Sequence, residues 1–423
     1  MTIATGRMCD RSDPNAGCLD RMRRGRRRSA ALAALLLFSG CSVTQEIANV
    51  EPVTTGESYQ AQYRLMSVGA APIATGTSAG ANAERCTSPA GAVSETAALR
   101  AVPRDVEILS IGDLLDVSLS EDATFSGKYR VSQDGTLRVV HLPPVRALGR
   151  TVDAVQADLA RALVAAGNYP TAPQVSVRLM GYAAARVFVS GAVFEPGAHE
   201  IGGPTATRTE ADRLAAIGAA GDERRLSRAL RAAGGVRPDA DLSRVTVLRG
   251  ERRLTFDLRP AVLGRAHTDA ILLAGDQIDV PSRGCFQEAL MKPSPISPPG
   301  VKVFLSNLTV PATSNAQSLN GKEARELRWG TRFLQAAVGM NCVGGTRLTN
   351  ADRTVVLFTR NPITGSSIVV ERNLESLLRR ADRDEYDPWI LPEDALACYD
   401  SGSTNVFDVA RQLGVVLSTV KTN

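Results

Sequence analysis

This 423-residue chain is poor in the side chains that carry most enzyme chemistry. Aromatic residues make up 4% of it, and its three histidines, His141, His199 and His267, stand far apart in strand, turn and loop contexts. No HExxH or comparable ligand spacing is present, which removes the usual helical zinc centre. Seven cysteines include no CxxC pair, so metal and redox motifs have little support. Gly321-Lys322 lacks the upstream glycine of a phosphate-binding loop, and no GxSxG elbow occurs. Glu121 and Asp122 are adjacent in an extended segment, where they point to opposite sides and cannot flank one bond. No catalytic residue, metal site or cofactor is therefore expected, and the chain is not read as an enzyme.

An excess of one charge is lacking too. Residues 1–40 hold eight Arg and three Asp, so the remainder carries 41 basic and 41 acidic residues. The basic balance belongs to the N-terminus, and no electrostatic footprint for nucleic acid remains. A long apolar run is also missing: Ala30 to Phe38 is nine residues, whereas a helix spanning a bilayer needs about 20. What is there instead is a basic stretch, "RMRRGRRRS", followed by that short run, then Ser39, Gly40 and Cys41. This is the layout of an export signal.

A signal that stops at cysteine resembles the bacterial lipoprotein type, with Phe38 where that pattern usually has leucine. The resemblance implies acylation of Cys41, and Ser42 after it implies an outer-membrane address. Met22 would give a more ordinary start. In an oxidising envelope, Cys86, Cys285, Cys342 and Cys398 are free to form disulfides in three complete pairings. Cys342 with Cys398 is the preferred pair, with Cys285 joined to either of them, or free thiols, as alternatives.

A mature chain of about 380 residues suggests two to four domains. Residues 41–104 are rich in Ala, Gly, Ser and Thr and read as an irregular tether. From about residue 105, "VEILSIGDLLDVSLS" alternates, and "KYRVSQDGTLRVVHLPPV" reads as two strands around Asp134-Gly135. Val152, Val155, Leu159 and Leu163 then fall at helical spacing behind Thr151, a candidate cap, and the helix is expected to end at Gly167. "PQVSVRL" and "ARVFVSGAV" follow as alternating strands, so the order is α+β.

The ordered set Gly112-Asp113, Val131 to Gly135, Pro173-Gln174-Val175, Gly191 and Glu195-Pro196-Gly197 resembles the N-terminal domain of the Wza-type polysaccharide export proteins. Each mark also has a plain folding role, since turns need the geometry that Gly and Pro supply. Beyond it lies a diverged repeat. "RALRAAGGV", "LSRVTVLRG", "RRLTFDLRPAVLGRA" and "AILLAGDQIDVPS" are answered by "TRFLQAAVGMNCVGG", "ADRTVVLFTRN", "SSIVVERNLESLLRRA" and "PWILPEDALACYDS". This order resembles the soluble-ligand-binding β-grasp (SLBB) domains of the same family. Asp276 and Asp394 occupy equivalent turns and read as turn caps. Residues 204–220 look like an insertion, and "MKPSPISPPG" like a connector.

The expected organisation is a multidomain α+β lipoprotein. It comprises a signal peptide (1–40), a tether (41–104), a polysaccharide-export domain (105–182), two β-grasp-like domains (183–284 and 285–401) and a C-terminal amphipathic helix (402–423). In that helix Val406, Val409, Ala410, Leu413, Val416, Leu417 and Val420 form one apolar face, with Asn405 as cap. Fifteen residues reach about 22 Å against a hydrocarbon core of about 30 Å, so crossing the membrane and packing on a β-grasp domain both stay open. The resemblance implies an outer-membrane translocon subunit in a homo-oligomeric ring, passing capsular or exopolysaccharide from the periplasm to the cell surface. It also implies an inner-membrane co-polymerase or tyrosine-kinase partner. A periplasmic glycan- or small-ligand-binding lipoprotein without a pore is the alternative, and an envelope hydrolase lacks any catalytic constellation.

Overall fold

A computed structural model describes residues 59–63, 78–86, 108–120, 122–203, 224–307, 325–340, 342 and 353–399, all within the body Asn49–Asn423. Cys41, the 204–220 insertion and the apolar face from Val406 to Val420 lie outside these residues. Among the described residues no helix is long and apolar enough to cross a membrane.

The first described pieces are a 3-10 turn, Ala61–Tyr63, and a short helix α1, Ser78–Ala83. The next domain comprises β1 (Leu114–Leu119), β2 (Gly127–Arg130), β3 (Thr136–Leu137), β4 (Val145–Arg146), α2 (Val152–Ala165) and β5 (Val175–Gly181). Strand β1 pairs antiparallel with β2 on one side and β5 on the other. Alternation decides the faces: Leu115, Val117, Leu119, Val175, Val177 and Leu179 turn inward and are buried. Helix α2 covers them with Val155, Leu159 and Leu163, each worth about 1.5–3 kcal/mol of burial. Thr151 caps α2 by accepting from Ala154 N–H at 3.1 Å.

One expected hairpin is only half formed. Ser132 to Gly135 do turn back, but β2 goes to β1 while β3 pairs with β4, leaving only the Val131–Leu137 bridge between the two arms. The Gly135 carbonyl, which accepts from Ala147 and Leu148 N–H, holds β4 against this turn.

Two five-stranded domains follow. The first contains β6 (Ala185–Gly191), β7 (Gly197–Ile201), α3 (Leu226–Ala232), β8 (Val245–Arg249), β9 (Arg252–Phe256), α4 (Arg259–Val262) and β10 (Gln277–Val280). The second contains β11 (Val301–Asn307), β12 (Arg325–Leu327), α5 (Phe333–Gly339), β13 (Thr354–Arg360), β14 (Ser367–Asn373), α6 (Leu374–Arg379) and β15 (Ala395–Tyr399). The sheet orders are β7-β6-β10-β8-β9 and β12-β11-β15-β13-β14, the same plan twice. In each, the first and last strands run parallel at the centre and a hairpin flanks either side.

Two stretches are more tightly packed than their composition suggests. Tyr59, Gln60, Ala61, Gln62 and Tyr63, inside the expected tether, are all buried. In the proline-rich connector, Met291, Ile296, Ser297 and Pro298 are buried, with Ile296 O accepting from Val236 N–H of the preceding domain. Polar side chains with exact partners bury a segment as well as an apolar period does, and periodicity alone misses them.

Candidate functional site

Among the described residues no cluster of His, Cys, Asp or Glu could hold a metal ion. His141 is exposed, His199 lies 2.8 Å from the Glu195 carbonyl, and His267 lies 3.3 Å from that of Arg265. Asp122 accepts from Thr124 N–H and starts a 3-10 turn, while Glu121 is outside the described residues. What the structure does concentrate is buried charge at the seams between domains.

One aspartate turn occurs three times, each time leading into a strand. Asp113, Asp276 and Asp394 accept from the backbone N–H three residues earlier, of Ser110, Leu273 and Leu391, at 2.8, 2.9 and 2.8 Å. The residue before each aspartate is left-handed, with φ of 90°, 90° and 69° at Gly112, Gly275 and Glu393. Glycine adopts this without strain, and glutamate does not. Asp276 and Asp394 are therefore turn caps, and Asp113 is a third copy that the sequence showed only as a family mark.

The three carboxyls are compensated differently. Arg224, 1% exposed, reaches Asp113 at 3.0 and 3.2 Å, and Ala183 N–H donates to the same group at 2.9 Å. Burial still raises the Asp113 carboxyl above its ordinary value, with Arg224 and the backbone donors pulling it down. Asp276 takes three contacts from Arg249, at 3.0, 3.2 and 2.6 Å. The register places Thr359 where Arg249 stands, so Asp394 meets no cation among the described residues. Burial pushes its carboxyl up to about 8, against the pull of the Leu391 N–H and Thr359.

The turns of Asp113 and Asp276 meet at a seam. Arg224 crosses from the first five-stranded domain to Asp113 and to the Ile108 carbonyl at 3.1 Å, its guanidinium 4.5 Å from the Tyr182 ring centre. Ala274 N–H donates to Ser110 Oγ at 3.0 Å across the same boundary. Gly202 makes room, because a Cβ there would lie 2.6 Å from Arg224 Cγ.

A second seam joins the two five-stranded domains. Asp239 accepts from Tyr59 Oη at 2.8 Å, from Arg237 at 2.9 and 2.7 Å, and from Ser282 Oγ. Burial would raise its carboxyl, but these donors hold it below the ordinary value. Arg237 also reaches the Pro362 carbonyl at 3.0 Å, and Phe194 meets Trp329 edge-on at 5.7 Å. The 59–63 strap lies in this seam: Gln60 exchanges two hydrogen bonds with the Trp389 backbone, and Arg372 donates to the Gln62 carbonyl at 3.0 Å.

The four described cysteines fall into two close pairs. Cys342 and Cys398 have Cα atoms 6.0 Å apart, and Cys86 and Cys285 4.7 Å, both within disulfide reach. Cys285 is thus given to the N-terminal segment and not to the cysteines of the last domain.

The domain of β1 to β5 coincides with a known family model. Residues 102–180 match the family model described as polysaccharide biosynthesis/export protein. Over this stretch the chain is similar to polysaccharide export proteins. The chain is also 27% identical over 209 residues to the EPS I polysaccharide export outer membrane protein EpsA of Ralstonia solanacearum, covering 47% of this chain and 48% of that one. The protein of the same name from Ralstonia nicotianae is 27% identical over 177 residues, 41% of each chain. The match thus spans about half the length of the curated relatives or less. Both relatives are named as polysaccharide export proteins of the outer membrane. The export domain contributes Asp113 to the first seam, so the shared part is held to the rest of the chain by a buried ion pair.

Proposed function

We propose that this chain is an outer-membrane subunit for export of capsular or exopolysaccharide from periplasm to cell surface. The observation that carries the reading is the export-domain match over residues 102–180, supported by relatives whose names place them in polysaccharide export at the outer membrane. In this reading Cys41 carries the lipid anchor, the two five-stranded domains are β-grasp (SLBB-like) units, and the subunits close into a homo-oligomeric ring. An inner-membrane co-polymerase, with or without tyrosine-kinase activity, hands over the polymer. Buried ion pairs at both seams suit a subunit whose domains must keep fixed angles for a ring to close. The segment 402–423 supplies the membrane-crossing helix.

Deleting the gene and scoring surface polysaccharide tests the export reading: loss restored by the intact gene is expected, and unchanged surface polymer refutes it. Electron microscopy of detergent-extracted protein tests the assembly. Rings are expected; a monomer would instead favour a glycan-binding lipoprotein without a pore.

A further inference from the structure

The two five-stranded domains share one backbone plan, so a difference between their outward sheet faces comes from sequence and not from the fold. In the first, the residues turned away from the core line up in two rows across four strands. One row is Ser190, Asp279, Thr246 and Thr255, and the other is Phe188, Gln277, Leu248 and Arg253. At the equivalent register the second domain has Ala397, Val356 and Glu371 in one row, and Phe304, Ala395, Phe358 and Val369 in the other. One face is hydroxyl-, amide- and guanidinium-bearing; the other is largely apolar.

The polar rows line a shallow groove of about 620 Å³, closed at one end by Arg244 and Pro281. Much of its polar chemistry is unspent. The side chains of Thr246, Thr255, Gln277 and Arg253 make no hydrogen bond or ion pair among the described residues. By contrast Arg244 is held by Asp241 at 2.7 Å, and Ser190 Oγ donates to Asp279 at 2.9 Å. Phe188 ends its row with the ring 45% exposed. Neighbouring strands are about 4.8 Å apart, comparable with the length of one pyranose ring. Successive rings laid along the rows would meet free donors or acceptors on β10, β8 and β9, at Gln277, Thr246, Thr255 and Arg253. Arg253 adds a fork that fits a carboxylate with two parallel N–H bonds.

We infer that this groove on the first five-stranded domain binds a stretch of carboxylate-bearing polysaccharide, with Arg253 on a uronic-acid carboxylate and Thr246, Thr255 and Gln277 on ring hydroxyls. The inference rests on the export reading for the origin of the polymer and names its chemical class. Asp279 stands in the other row and two strands from Arg253, on the order of 10 Å or about one Debye length, so its repulsion of a carboxylate held there is screened. Exposed side chains and a shallow floor give weak contacts that release, which a sliding polymer requires.

Titration calorimetry of the full-length protein in detergent, with an oligogalacturonate as probe and maltoheptaose as neutral reference, tests the site. Oligogalacturonate should bind more tightly than maltoheptaose. Arg253→Gln should weaken it about tenfold, the loss expected for one charge-assisted contact. Thr246→Val with Thr255→Val should weaken both sugars, and Glu371→Gln, on the equivalent face of the second domain, should change neither. Failure of both sugars to bind, or equal oligogalacturonate affinity in wild type and Arg253→Gln, overturns the site. Equal affinity for the two sugars overturns the acidic class. The export reading fails separately, if deleting the gene leaves surface polymer unchanged while the purified protein still binds oligogalacturonate.

Discussion

Asp394→Asn should stabilise this protein at neutral pH, although the same substitution at Asp113 or Asp276 should harm it. In the folded chain Asp394 is buried with no cation beside it among the described residues, and burial raises its carboxyl from 3.8 to about 8. A raised carboxylate means the folded state holds a proton that the unfolded state has lost. The stability contribution is therefore full below about pH 4, falls as pH rises by about 1.4 kcal/mol per unit, and levels off above about pH 8. At pH 7 the accumulated loss is about 4 kcal/mol, an upper figure. Asparagine keeps an oxygen for Leu391 N–H and offers an amide to Thr359 Oγ1, which is buried without a well-formed partner. Urea midpoints measured from pH 4 to pH 8 should coincide for wild type and variant near pH 4 and separate steadily above it. Asp113→Asn, in contrast, strands the Arg224 guanidinium and should lose about 3–5 kcal/mol, with Asp276→Asn losing less because Arg249 is partly exposed. Parallel wild-type and Asp394→Asn curves across this range would refute the reasoning.

Cys41→Ala should abolish labelling by a fatty-acid analogue; unchanged labelling removes the lipoprotein assignment. Peptide mapping without reduction should recover Cys342 joined to Cys398 and Cys86 joined to Cys285, and a free thiol on either Cys342 or Cys285 rules out that bridge. The first bridge closes a loop of 56 residues and should contribute about 4 kcal/mol in the chain-entropy model. An epitope tag after Asn423 should be antibody-accessible on intact cells, whereas accessibility only after permeabilisation of the outer membrane refutes a crossing helix.

Local signals carried far in this chain. Helix α2 was legible because its apolar period, its threonine cap and its terminal glycine agree over one short window. The second pass through helix, hairpin, short helix and strand was legible because the sequence repeats the order. The seams were not. Arg224 meets Asp113 across 111 residues, and no pattern in either neighbourhood marks the pair. Gln60 and Gln62 look like linker residues until Trp389 and Arg372 supply their partners. The contrast between Asp276 and Asp394 needed the strand register, because Arg249 and Thr359 become equivalent only once β8 and β13 are superposed by their pairing.

The strap also sets an order of events. Tyr59 waits for Asp239, 180 residues later, and Gln60 for Trp389, 329 residues later. A chain delivered N-terminus first presents the strap long before its seat exists. Contacts of such separation form late, since the intervening chain must first be organised. The strap precedes the sheets it packs against, so it is expected to settle after them, with the Tyr59 hydroxyl and the Gln60 amide hydrated until then. The expected immature form has its four sheets paired but this seam open, and a protease directed at residues 59–63 should cut it and spare the finished subunit.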